Sequence, residues 1–87
     1  MKEVILKGRI AKTYNGIKTQ LDKALRKLYT EEEIDNLSFY VDIEDNKDFY
    51  IWDYTEDRDS SICMRYHLMY ERATGMVYRK EIGVEAK

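Results

Sequence analysis

Residues 37–55, LSFYVDIEDNKDFYIWDYT, decide how this chain folds, because they gather six of its eleven aromatic residues into two short runs around a polar turn. Phe39, Val41 and Ile43 alternate with Tyr40, Asp42 and Glu44, the period of two that sends one face of a strand into a core and the other outward. The run Phe49-Tyr50-Ile51-Trp52-Asp53-Tyr54 is again rich in strand formers, and Asp45-Asn46-Lys47-Asp48 between the runs spells a turn. Setting Glu44 opposite Phe49 places Ile43 against Tyr50, Val41 against Trp52 and Phe39 against Tyr54, so that six large apolar residues share one face. A slip of one residue would scatter them over both faces. Each buried aromatic hides roughly 150–250 Å², enough for this hairpin to found a core. The opposite face carries Tyr40, Asp42, Glu44, Phe49, Ile51 and Asp53. That mixture of carboxylates and apolar groups calls for a cover, either from elsewhere in the chain or from a partner.

Upstream, Thr30 followed by Glu33 is a capping-box spelling for a short helix through Asn36. Before it, Ile10, Tyr14, Ile17, Leu21, Ala24, Leu25 and Leu28 recur at spacings of three and four, which predicts an amphipathic helix over 13–29. Lys12, Lys23, Arg26 and Lys27 fall on its far side. Asn15-Gly16 disfavours the first turn and could delay the start to Ile17. Residues 2–10 hold a Val4-Ile5-Leu6 cluster without a cap and read as a short strand at a sheet edge or, in the alternative, as the first turns of the following helix, with Gly8 awkward in either state.

Downstream, a polar loop over 56–61 leads to Ile62, Met64, Tyr66, Leu68 and Tyr70, which alternate with Cys63, Arg65, His67, Met69 and Glu71. Residues 73–75 turn the chain, residues 76–84 return, and 85–87 form a tail. A three-residue turn with Gly75 left-handed would pair Arg72 with Met76, Tyr70 with Tyr78 and Tyr66 with Ile82. The other face would then match Met69 with Arg79 and His67 with Glu81. The expected fold is an α+β two-layer sandwich in one domain over 1–87: a four-stranded antiparallel meander, one amphipathic helix on its aromatic face, and a short N-terminal fifth strand.

The net charge of −2 conceals a strong asymmetry. Residues 1–30 carry eight Lys and Arg against two acids, residues 31–59 two against twelve, and residues 60–87 five against three. One cysteine allows no internal disulfide and fits a reducing, cytoplasmic setting, and no apolar run approaches membrane-spanning length. Neither proline nor a glycine-serine tract marks a linker.

The search for chemistry is mostly negative. Cys63 and His67 lie four residues apart on one strand, about 13 Å, too far for a thiol-imidazole dyad. Asp42, Glu44, Asn46 and Asp48 have calcium-loop spacing, but Lys47 occupies the position that needs glycine. Zinc-ligand spacings and phosphate-binding glycine loops are absent, so neither metal nor cofactor is expected, and the chain reads as a non-enzymatic protein.

Two binding readings remain. In the first, Tyr40, Asp42, Glu44, Asp45, Asp48, Ile51 and Asp53, with Glu56, Asp57 and Asp59, engage a partner protein through its basic groove. In size, charge and tyrosine richness the chain is similar to small phage-encoded inhibitors of host defence, acidic nucleic-acid mimics among them, a similarity that rests on no motif. In the second, Lys12, Lys18, Lys23, Arg26 and Lys27 contact nucleic acid. The outer sheet face, with Phe49, Ile51, Cys63, Met69 and Val77, is also suited to a homodimer.

Overall fold

The computed structural model describes residues 2–40, 44–45 and 47–87, with the backbone alone of 2, 44 and 45. The elements in chain order are β1 (Lys2–Lys7), α1 (Tyr14–Leu28), α2 (Glu31–Asp35), β2 (Ser38–Phe39), β3 (Glu44–Asp45), β4 (Phe49–Asp57), β5 (Ile62–Glu71) and β6 (Met76–Ala86). The fold is α+β: an antiparallel sheet with strand order β1-β6-β5-β4-β2, where β3 also pairs with β4, and α1 packed on one face. The N-terminal segment is the fifth strand, laid against β6 at the sheet edge.

Helix α1 starts where its cap dictates. The Thr13 hydroxyl accepts from Gly16 N at 3.1 Å, so Asn15-Gly16 lies inside the first turn and does not delay the helix. Ile17, Leu21, Ala24 and Leu25 are buried against the sheet, each large one contributing about 1.5–3 kcal/mol by leaving water. Ile10 and Tyr14, the first residues of the predicted stripe, remain largely exposed. Gln20 is buried instead, and its amide lies so close to Gly8 that a Cβ there would fall 2.4 Å from Gln20 Oε1. The same Cβ would fall 2.9 Å from Gly75 O, a backbone atom that cannot swing aside, so glycine at position 8 is a packing requirement of β1 against the β5–β6 turn. The Tyr70 hydroxyl fixes the β1–α1 connection, donating to Arg9 O at 3.0 Å and accepting from Ala11 N at 2.6 Å.

Both hairpins agree with the expected register at one end and depart from it at the other. Phe39 lies opposite Tyr54 as expected, but Glu44 faces Ile51 rather than Phe49, and Tyr50 faces Asp45. The expected partners Val41 and Ile43 lie outside the described residues. In the second hairpin Gly75 is left-handed as expected (φ 77°), yet its N–H closes on Glu71 O at 2.8 Å, which makes the turn four residues long. Tyr70 therefore pairs with Val77, Met69 with Tyr78, His67 with Lys80 and Tyr66 with Glu81. A bulge near Ile82 restores the expected phase, and Met64 meets Val84.

The slip exchanges the faces of the first half of β6. Val77, expected outside, is fully buried under α1, while Tyr78, expected inside, joins Val4 and Met69 on the outer face. Arg79 consequently enters the inner face. It is tolerated there because its guanidinium stacks 4.6 Å over the Tyr66 ring and meets Glu3 Oε1 at 2.6 Å. The core is strongly phenolic, with Tyr54 and Tyr70 completely buried beside Leu21 and Leu68. The segment 85–87, expected as a tail, continues β6 to Ala86.

Candidate functional site

Helix α2 is the piece around which the candidate surface is assembled. Five residues cannot sustain a helix alone. This one is held by the full capping box: Glu33 N donates to Thr30 Oγ1 at 3.2 Å, and Thr30 N donates to Glu33 Oε1 at 2.9 Å. Ile34 and Leu37 pack against the core, so α2 is fixed on the sheet immediately before β2.

A concavity opens on either side of α2. Toward α1 lies a groove of about 270 Å³ walled by Tyr14, Lys18, Ile34, Phe39, Tyr40 and Trp52. Trp52 is buried, whereas Tyr14, Phe39 and Tyr40 are 53%, 41% and 45% exposed, so three ring edges stand around it. The Phe39 ring meets Trp52 edge-on, with centroids 5.8 Å apart. Toward the end of β4 lies a cleft of about 280 Å³ between Glu33, Asn36, Leu37, Glu56, Asp57 and the Tyr29 ring. It brings together acids from two segments that the sequence keeps more than twenty positions apart.

The acids expected to form one strip are treated differently from one another. Asp53, at the groove's rim, is engaged by Arg65 at two points, Nε to Oδ1 at 2.9 Å and Nη2 to Oδ2. That hydrogen bonding, with a further bond donated to Glu85, pushes the Arg65 pKa upward against its desolvation. Arg65 also lies 4.8 Å over the Tyr40 ring, and His67 Nε2 stands 3.6 Å from Asp53 Oδ2, replacing the expected His67–Glu81 pair. Asp53 is thus a member of a surface ion cluster. Asp59 closes the β4–β5 loop, its Oδ1 accepting from Ser61 N, Ser61 Oγ and Ile62 N, and these bonds hold its carboxyl below the usual range.

Glu56 and Asp57 remain at the open cleft, 3.8 Å from Arg58 Nε and 3.3 Å from Lys87 Nζ respectively. Ile51 is on the expected face but buried at 5% exposure, as is Cys63 at 8%, so neither offers an apolar contact. Asp48 lies in the turn before β4, where its carbonyl accepts from Arg72 N. Glu44 and Asp45 pair by backbone with Ile51 and Tyr50, and Asp42 lies outside the described residues.

Of the basic set, Lys12, Lys18, Lys23 and Lys27 are exposed without an acid partner among the described residues, whereas Arg26 Nη1 holds Glu31 Oε1 at 2.5 Å. Among the described residues no group of three His, Cys, Asp or Glu could hold a metal ion, and no helix is long and apolar enough to cross a membrane.

Sequence reasoning treated Glu33 as a purely structural cap and overlooked Tyr14 and Phe39 as surface aromatics. The capping box did mark α2. That its two sides would face a ring of aromatics and a pair of carboxylates depends on the β2–β4 pairing, and no local spacing encodes that. Comparison with family models, curated proteins and solved structures returns no match for this chain.

Proposed function

We propose that this is a non-enzymatic binding or inhibitor protein that presents an acidic and aromatic surface to the basic groove of a nucleic-acid-handling partner, in the manner of a phage-type anti-defence protein or nucleic-acid mimic. The observation that carries the proposal is the position of α2, with exposed rings at the groove on one side and Glu33, Glu56 and Asp57 at the cleft on the other. Rings on rigid elements supply contact area at low entropic cost, and carboxylates beside them accelerate the encounter with a cationic site. The surface differs from the strip expected on the sheet face: Asp53 and Asp59 are spent on internal contacts, and the acids of α2 take their place. Lys12, Lys18, Lys23 and Lys27 give the alternative reading of nucleic-acid binding its support, since none is neutralised by a described acid.

The test is capture from a nuclease-treated bacterial lysate, followed by elution with duplex DNA as competitor. Glu32→Lys, Asp35→Lys and Asp57→Lys together reverse charge around α2 while leaving its capping box intact. Captured protein should be displaced by DNA, and the triple variant should lose it with unchanged thermal unfolding. Undiminished capture by that variant overturns the proposal. Capture that vanishes with nuclease, and with Lys18→Glu, Lys23→Glu and Lys27→Glu, transfers the function to the helix.

A further inference from the structure

We infer that the open edge of β6 pairs with the same edge of a second copy, joining two sheets into one about a twofold axis at Val84. Strand β1 accompanies β6 only along Met76 to Lys80, so residues 81–86 have β5 on one side and, among the described residues, no strand on the other. The hydrogen-bond phase of this edge is fixed. Lys87 N donates to Ser61 O at 2.9 Å, and since antiparallel bonding alternates by residue, Glu85 and Gly83 also face β5. Val84 and Ala86 therefore turn their N–H and C=O groups outward.

Two apolar side chains stand exposed on this stretch. Val84 is 59% exposed and Ile82 43%, and no lysine or proline interrupts residues 81–86. An antiparallel pairing centred on Val84 lets the two Val84 residues exchange both backbone hydrogen bonds and sets Ile82 opposite Ala86 of the second copy. Gly83 then lies opposite Glu85 of the second copy. No atom stands within 4 Å of where a Gly83 Cβ would be, so that carboxylate has room over the glycine. Arg65, the cross-strand neighbour of Gly83 on β5, is bonded within its own chain to Asp53 and Glu85. Centring on Gly83 keeps the same bonding phase but brings Glu81 toward Glu85 of the second copy, an acid pair that disfavours it.

Sedimentation equilibrium across a concentration series should give twice the 10.5 kDa chain mass. Val84→Lys, which sets two ammonium groups across the axis, should raise the dissociation constant at least about tenfold. Val84→Pro should do the same, because it removes an N–H that faces outward and no bond to β5. In a Cys63→Ser background, the Val84→Cys variant should form an intermolecular disulfide under mild oxidation, since opposed residues in such a pair lie about 5.5 Å apart. The Thr74→Cys variant, at the distant turn, should not. A chain that stays monomeric to about 1 mM, or a dimer indifferent to Val84→Lys and Val84→Pro, overturns the inference.

Discussion

Two arginines on opposite faces of the sheet are built into the same three-part arrangement, a guanidinium over a tyrosine ring with a carboxylate beside it. Arg79 lies 4.6 Å over Tyr66 with Glu3, and Arg65 lies 4.8 Å over Tyr40 with Asp53. Their surroundings separate them. Arg79 points into the phenolic core, where its Nη1 donates to the Tyr29 hydroxyl at 3.3 Å, and that hydroxyl lies 3.1 Å from the Tyr54 hydroxyl. Arg65 faces outward among charges, with Glu85 and His67 near Asp53 and a ring that is itself nearly half exposed. The same triad serves as a core component on one face and as a surface clasp on the other. What differs is how much water competes for each contact.

Removing the inner arginine should have the largest effect. Arg79→Ala uncovers the Tyr66 ring and strips the Tyr29 hydroxyl and Glu3 of a donor, which predicts a loss of about 2–3 kcal/mol in denaturant unfolding. Glu3 is half exposed and recovers water, so the loss comes from the buried side of the arginine. Arg79→Met keeps the stem and should recover part of it. Equal stability of all three proteins would show that the inner triad is ornamental.

Arg79 is also where the sequence was hardest to read. Helix α1, the α2 capping box and the left-handed Gly75 follow from local spacing, because each depends on residues three or four apart. Register in the hairpins depends on how the turn spends its residues. In β6, Met76, Tyr78, Ile82 and Val84 all favour one phase and only Val77 the other. The four-residue turn imposes the phase of Val77 up to Glu81, and the bulge beside Gly83 returns it to that of Val84. No alternation rule gives both phases within one strand. The candidate surface inherits that difficulty: its rings and acids were visible as residue types, but their grouping around α2 depends on the pairing of Ser38 with Thr55 and Phe39 with Tyr54.

The phenols beside the inner arginine also respond to alkali. Burial, above all, raises the Tyr29 phenol far above the ordinary tyrosine range and also raises that of Tyr54. A group whose folded pKa is raised contributes stability that is complete below its unfolded pKa and is lost as pH climbs past it. Stability should therefore be flat from pH 8 to about 10 and fall beyond, with a slope of at most about 1.4 kcal/mol per pH unit for each phenol. Tyr29→Phe should flatten the fall. Urea midpoints at pH 9, 10 and 11 decide this. An undiminished fall in Tyr29→Phe would assign the alkaline sensitivity to other groups.

The smallest expected effect belongs to the outer arginine, and salt distinguishes it from the inner one. Arg65 is 31% exposed and Glu85 39%, so much of their attraction acts through solvent, while the two-point bond to Asp53, 14% exposed, is better shielded. Arg65→Ala should cost about 1 kcal/mol at low ionic strength. Arg65→Lys should recover little of it, because a point charge replaces neither the planar fork on Asp53 nor the stacking on Tyr40. Raising salt to 1 M shortens the screening length to about 3 Å, which should shrink the Arg65→Ala deficit. The Arg79→Ala deficit should persist, since stacking on Tyr66 and the hydrogen bond to Tyr29 are not ion pairs. If both deficits fell with salt in the same proportion, the two triads would be the same device after all, and the contrast between core component and surface clasp would have to be abandoned.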